Sequence, residues 1–508
     1  VKKAAIFFML LALALPLAAQ DLASIEKRVT VKKLDNGLTV IVMERPTAPV
    51  FSFATVVDVG SAQEVPGITG LAHMFEHMAF KGTDHVGTTD YAAEKVALQK
   101  VEDAYAAYDR ARRDPVNHDA AKIAELEKAW KAAMDEANKY VVPNEYSKIV
   151  QRAGAVGLNA GTGNDETTYF YSMPSNQVEL WAYLDSTRFM NPIFREFYKE
   201  RDVVFEERRM RTESSPFGRL FEQELAAAFT AHPYGQPVVG WPSDLHSFSA
   251  TDAAAFAKKY YVPANMVIAI VGDVKAAEVL PIVEKYFGRL PKAAPPEPLR
   301  TIEPPQKAER SVVLREASQP IYLEGYHRGS AVDPDAPVFS LIQGILAQGR
   351  TSRLYRSLVR DKKVAAQVSS FEAFPSDKYP TLFAFIGVPT AGHTAAELAD
   401  PIHAEVDRLK NEDIPADELQ SVKTRAKATL IRRLDSNFGL ALQLASYQTR
   451  YGDWRELFHE VEKIDKVTSA DVRRVAAATF VPENRTVATI ESTKKAPAAA
   501  PAPKGDAK

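Results

Sequence analysis

The chain has 508 residues, 46% of them hydrophobic and 25% charged, with a net charge of −2. That balance suits an ordinary globular protein and offers no basic field for nucleic acid. Cysteine is absent throughout, which excludes a disulfide framework, a thiol nucleophile and lipid attachment behind a signal, and leaves histidine and carboxylates to hold any zinc.

Residues 1–20 read as a secretory signal peptide: Lys2 and Lys3 form the positive end, Ala4 to Leu15 the apolar core and Pro16 to Gln20 a small-residue exit. The apolar core is short for a membrane span, and no later stretch is long and apolar enough to be one. The mature chain is therefore expected in the periplasm or secreted, without stable membrane insertion. Val29 to Leu34 and Leu38 to Met43, joined across Asn36-Gly37, read as a β-hairpin, and Phe51 to Val59 as a further strand.

Pro66 to Gly70 then introduces a helix carrying His73-Met74-Phe75-Glu76-His77. Residues four apart on a helix lie one above the other, so His73 and His77 present two imidazoles to one point, with Glu76 on the side a third group would approach. That set suits a zinc ion and a water, with Glu76 as general base. The alternative is a pair of surface histidines, against which the apolar flanks Leu71, Met74, Phe75, Met78 and Phe80 speak.

Residues 88–142 differ in kind. Val101, Tyr105 and Tyr108, then Ile123, Leu126, Trp130 and Ala137, recur at helical spacing on either side of a break at Arg113 to Asn117. This predicts an antiparallel helical hairpin, either a substrate- or partner-contacting arm or a stabilising insertion.

A hydrolytic zinc needs a third protein ligand. The run Phe194 to Met210 reads as helix, with Phe197, Val203 and Val204 on an apolar side that Glu200 and Glu207 share; Glu206 points about 100° away. A carboxylate on a buried face must be paired or bind metal. Glu207 is therefore the expected third ligand, Glu200 the group that orients a histidine or the water, and Glu206 the runner-up ligand.

Ser249 to Val271 and Thr468 to Ile490 repeat one pattern at a constant offset of 219 residues: a capped helix, a Pro-Asn turn and a β-branched strand. Between them lies the Pro-rich stretch 291–308, a semi-extended linker. Ser311 to Leu314 and Ile321 to Tyr326 read as strands and Phe339 to Ala347 as helix. The expected fold is α+β: two homologous domains, each a mostly antiparallel sheet with helices packed on one face. They span 21–290, interrupted by the hairpin at 88–142, and 309–492, which lacks a metal motif; 493–508 is a low-complexity, disordered tail.

His73-x-x-Glu76-His77 followed by Met78-Ala79-Phe80-Lys81-Gly82-Thr83, and Glu200 to Glu207, resemble the signatures of the pitrilysin, insulinase and mitochondrial processing peptidase family, zinc peptidases with an inverted motif. His232 to Gly235, Tyr261 to Asp273 and Gly349 to Leu354 carry the resemblance over nearly all of residues 28–492. It implies a zinc endopeptidase with one Zn2+ per chain, held by His73, His77 and Glu207, with Glu76 as base and Glu200 in support. Leu158 to Thr162 resembles the family's edge strand, so an extended peptide or unfolded polypeptide would pair beside Asn159 and Ala160. Phe80 would form an apolar wall. Two departures stand out. Glu207 follows His77 by 130 residues, more than family members show, and the hairpin accounts for the excess. In the second domain, Arg360 matches a residue that steadies the substrate carbonyl, but Gln367 stands where tyrosine is expected. The family closes two such halves around a chamber, which implies a homodimer or a heterodimer with a related chain. The competing reading is a non-catalytic or weakly active subunit of a hetero-oligomeric peptidase or assembly complex.

Overall fold

A computed structural model describes residues 25–493. The expected signal peptide and nearly all of the expected tail lie outside the described residues. Six strands form the first sheet: β1 (Val29–Lys33), β2 (Thr39–Glu44), β3 (Val50–Val57), β4 (Val156–Thr162), β5 (Thr167–Pro174) and β6 (Met266–Gly272). Their order is β1-β2-β6-β3-β5-β4, antiparallel except at β2–β6. The second sheet contains β7 (Arg310–Glu316), β8 (Ile321–Arg328), β9 (Ala365–Phe374), β10 (Thr381–Pro389) and β11 (Arg485–Ser492). Its order is β7-β11-β8-β10-β9, antiparallel except at β7–β11. Without β1, the two orders coincide.

The repeated sequence unit explains part of that coincidence. Each copy begins with a capping box, Ser249 with Asp252 and Thr468 with Asp471, and its strand enters the sheet beside the parallel partner. The asparagine of each Pro-Asn turn has the same task. Asn265 Nδ2 donates to the carbonyls of Tyr260 and Asp58, and Asn484 Nδ2 to those of Thr479 and His327. Each amide ties the helix end to the neighbouring strand.

Alternation along the strands buries both faces of each sheet. In the first, Val40, Val42, Phe51, Phe53, Ile268 and Ile270 face the helices of their own half. Ile41, Ala54, Val56, Ala269 and Val271 face Leu440, Ala441, Leu444 and Ala445, from a helix (Asn437–Tyr451) of the second half. The exchange is reciprocal. The helix Pro216–Ala228 of the first half lies on β7, β8 and β11, with Leu220 and Ala228 packed against Ile321, Leu323 and Ile490. Each sheet thus keeps its own helices on one face, and the other face, on which the sequence reading was silent, is covered by a helix from the other half. Burying one leucine such as Leu444 stabilises the contact by roughly 1.5–3 kcal/mol. Glu224, on the lent helix, is buried over Gly325 of β8, with no cation beside it among the described residues.

The metal-motif helix, α1 (Leu71–Met78), packs against β4 and against two further helices, α4 (Phe197–Arg208) and α5 (Ala250–Tyr260). The insertion is a helical hairpin of α2 (Tyr91–Arg113) and α3 (Ala120–Asn138). The 23 and 19 residues of its arms correspond to roughly 35 and 28 Å at the usual rise. Residues 291–307 carry no helix or strand. They are nonetheless tethered: Glu303 accepts the N–H groups of Thr230, Ala231 and His232 at 2.8–2.9 Å.

Candidate metal centre

Two carboxylates and a backbone turn position the start of α1. Its N-cap, Gly70, has φ +90, a left-handed conformation, and a Cβ there would lie 2.7 Å from the carbonyl of Val239. Glu64 takes the N–H groups of Gly70 and Ala72, both at 2.7 Å, and Asp244 takes those of Gly67 and Thr69. Glu64 thereby satisfies donors that the helix start leaves open, and Asp244 fixes the turn ahead of it. Burial pushes Glu64 up to about 8, against the pull of the backbone N–H groups. Beyond the helix, buried Arg195 pairs with Glu94 and donates to the carbonyls of Lys81, Thr83 and Val86, fixing the exit loop and the root of α2 together.

α4 starts later than the sequence suggests. Glu196 has φ +56 and ends the preceding turn, and a π-turn (Arg209–Glu213) follows Arg208. Within the helix, Val203 departs from its expected buried place and is 46% exposed, whereas Val204 is fully buried.

Ligand atoms of His73, His77 and Glu207 all lie within 4.8 Å of one another. Glu207 Oε1 is 3.6 Å from His73 Nε2, and Oε2 is 3.5 Å from His77 Nε2. The two rings stand nearly perpendicular, with centroids 4.9 Å apart. On the far side of His77, Nδ1 meets Glu200 Oε2 at 3.4 Å, and Lys81 pairs with Glu200 and Glu196. Glu76 Oε2 accepts a hydrogen bond from the Thr162 hydroxyl at 2.7 Å, at the end of edge strand β4. Arg211 reaches Glu207 Oε1 from solvent at 2.8 Å, while Glu206 points outward to Arg209.

The electrostatics follow from this packing. Burial, helped by His77, pushes His73 down to about 4, so its imidazole is neutral. Burial also opposes charge on His77, but Glu200 and Glu207 outweigh it and hold this group up at about 9. The hydrogen bond from His77 lowers Glu207. Burial would raise Glu200, yet His77 and Lys81 hold it down at about 2. Burial raises Glu76, with the Thr162 hydrogen bond pulling the other way. Two ionised carboxylates thus draw a proton onto His77, and a divalent ion in the same place would take over that charge. Two imidazoles and one carboxylate are a donor set that zinc accepts, with a position left open.

The other expected residues fall into two groups. Asn159 and Ala160 lie on the outer strand β4 beside α1, and Asn159 Oδ1 accepts the Ala160 N–H at 2.9 Å. Phe80 is partly buried, its ring near those of Tyr146 and Tyr169 and beneath the Arg188 guanidinium. Arg360 and Gln367 belong to the second half. Arg360 pairs with its neighbour Asp361 at the surface, and Gln367 is exposed on the outer strand β9. Among the described residues, no hydrogen bond or ion pair joins either to the triad. The contacts that Thr162, Lys81 and Glu64 make at the site escaped the sequence reading. Strand alternation puts Thr162 on the same side as Ala160, and Lys81 lies one turn beyond His77; Glu64 has no local signal.

Residues 39–125 match the family described as Insulinase (Peptidase family M16), and residues 247–426 match the Peptidase M16 inactive domain. The chain is similar to a zinc protease, PqqE, of Helicobacter pylori, with 28% identity over 82% of each chain. It is also similar to the mitochondrial-processing peptidase subunit beta of Lentinula edodes, with 24% identity over 88% of this chain and 86% of that one. Among solved structures, a protease from Helicobacter pylori superposes with a TM-score of 0.76 at 26% identity, covering 91% of this chain and 99% of that one. The periplasmic protease PqqL of Escherichia coli shares the fold, with a TM-score of 0.67 at 16% identity; the match covers 92% of this chain and 48% of that one. The profile that carries the metal motif, its companion over the later part of the chain, and relatives matched over most of their length agree: this chain belongs to peptidase family M16.

Proposed function

We propose that the chain is a zinc-dependent endopeptidase acting on extended peptides or unfolded polypeptides. The observation that carries this reading is the convergence of His73, His77 and Glu207 beside a half-buried Glu76 that Thr162 holds in place. A zinc ion bound by the triad supplies Lewis acidity that lowers the pKa of water and polarises a carbonyl. Glu76 takes the proton from the attacking water and delivers it to the departing amine; burial raises its carboxyl and the Thr162 hydrogen bond pulls the other way. Glu200, fixed by Lys81, holds His77 at Nδ1 so that Nε2 faces Glu207. The substrate adds as a strand along β4 at Asn159 and Ala160, with Phe80 bordering the residue after the cut. Arg360 and Gln367, with no contact to the triad, would act when substrate or a second chain brings them near. The chain works outside the cytoplasm, in the periplasm or secreted, as a dimer with itself or a related chain. Among the described residues no helix is long and apolar enough to cross a membrane.

The test is cleavage of an unfolded polypeptide by the protein after chelation and after zinc is restored. Cleavage that returns with zinc is expected. Identical cleavage in both states contradicts the reading.

A further inference from the structure

The metal chemistry leaves the helical hairpin unused, yet the hairpin is held firmly beside it. Arg201, on α4 between Glu200 and Glu207, stacks over the rings of Tyr105, Trp130 and Tyr198 at 5.2, 5.8 and 4.9 Å. It also donates to the Tyr105 hydroxyl at 2.8 Å, and the Tyr198 hydroxyl donates to Glu102 at 2.6 Å. Arg112 and Arg113 reach the carbonyls of His246 and Ser247 at 2.7 and 3.0 Å. Both arms therefore run along the ligand-bearing helix instead of standing free in solvent.

Between α3 and α4 lies an open cleft of about 990 Å³. Trp130 and Met134 line it from the arm, and Val203, Glu207 and Met210 from the helix and the π-turn that follows. Val203 and Glu207 are one helical turn apart, and Met210 is on the next turn. The proposed ligand Glu207 thus sits in the middle of an apolar stripe. That stripe is open: Val203 is 46% and Met210 68% exposed. Charged groups line it as well: Lys131 pairs with Glu127 and Arg211 with Glu207, and Asp135 and Asp202 belong to the lining without an ion pair among the described residues. The apolar side chains of the cleft run up to Glu207, one member of the metal triad.

We propose that this cleft is an extension of the substrate site, taking apolar side chains of an unfolded polypeptide whose scissile bond lies at the triad. The proposal rests on the peptidase reading above. The occupant is the substrate chain because the cleft is continuous with the site of cleavage: Glu207 belongs to both. The hairpin is then a specificity wall, favouring polypeptides with an apolar cluster at some distance from the cut.

Binding tests this without turnover. In the zinc-loaded Glu76→Gln chain, two labelled unstructured peptides are compared, one with a Leu-Phe cluster and one with Ser and Gln in its place. The apolar peptide is expected to bind about tenfold tighter or better. Met210→Glu on the floor and Met134→Glu on the arm are each expected to erase that preference. Equal affinities, or a preference that survives both substitutions, overturn the proposal. So does a loss of self-association in light scattering with the preference intact, which would make the cleft a contact between copies. Cleavage by the unsubstituted chain separates the two ideas. An active peptidase with no apolar preference loses only the cleft, and an inactive chain with the preference loses only the peptidase reading.

Discussion

The helix α1 and the helix Ala336–Leu346 occupy equivalent places, each following the strand (β3 or β8) that lies beside the repeated unit's strand in its sheet. The second is apolar nearly throughout, burying Val338, Phe339, Leu341, Ile342, Ile345 and Leu346, and contains no ionisable side chain. The first buries Leu71, Met74, Phe75 and Met78 in the same manner, but presents His73, Glu76 and His77 to β4 and α4. The fold therefore needs only the apolar face of this helix. The imidazoles and the carboxylate stand on this helix in one copy only, and other groups of the first half support them: Glu64 at the helix start, Glu200 and Lys81 behind His77, and Thr162 on Glu76. A site of this kind can be removed without removing the frame.

That contrast can be tested by degrees. Glu76→Gln should cost the most, slowing peptide cleavage about a thousandfold while zinc content and thermal stability stay as they were; steady-state kinetics beside metal analysis will show this. Glu207→Gln comes next. Zinc titration should show affinity weakened at least about tenfold, whereas Glu206→Gln, whose carboxylate faces solvent and Arg209, should titrate like the unsubstituted chain. Equal weakening in both would exchange the two assignments.

The interface between the halves offers a third, smaller effect. Burial, reinforced by the Glu324 carboxylate, pushes Glu224 well above the ordinary value of 4.5. The unfolded chain loses this proton near 4.5 and the folded chain keeps it, so the folded state binds more protons and its stability falls as pH rises above that value. The slope from one group is at most about 1.4 kcal/mol per pH unit. Glu224→Gln removes it, and its melting temperature should gain steadily on that of the unsubstituted chain from pH 5 to 7. Parallel curves would mean Glu224 is ionised in the fold. The smallest change concerns the second half's share in chemistry. Arg360→Ala should leave the melting temperature unchanged, because its partner Asp361 is equally exposed, and lower kcat/KM severalfold. An unchanged kcat/KM would confine the reaction to the first half.

Much of the centre is legible in the sequence because helices impose spacing. His73 and His77 are one turn apart, and Glu200 and Glu207 are two turns apart on a second helix, so four side chains can be placed before any packing is known. The duplication is legible too, through capping boxes and Pro-Asn turns whose asparagines have equivalent hydrogen bonds. What escapes depends on tertiary contact. Nothing in the helices Pro216–Ala228 and Asn437–Tyr451 says that each covers the other half's sheet, since an apolar face does not name its partner. Glu64 lies in a loop and acts only after the chain turns back at Gly67 and Gly70. Val203 misleads for a related reason. Periodicity places it on the apolar side, but the surface beside it is an open cleft.

The central claim is that His73, His77 and Glu207 form one metal centre, and zinc-edge X-ray absorption on the full chain and on His77→Ala tests it most directly. The account predicts one zinc per chain, with two imidazole nitrogens at about 2.0–2.1 Å and oxygen ligands at about 2.0–2.2 Å, and a shell that loses one nitrogen in the variant. A chain that retains no zinc after dialysis against micromolar metal, or a shell that His77→Ala leaves unchanged, would contradict it.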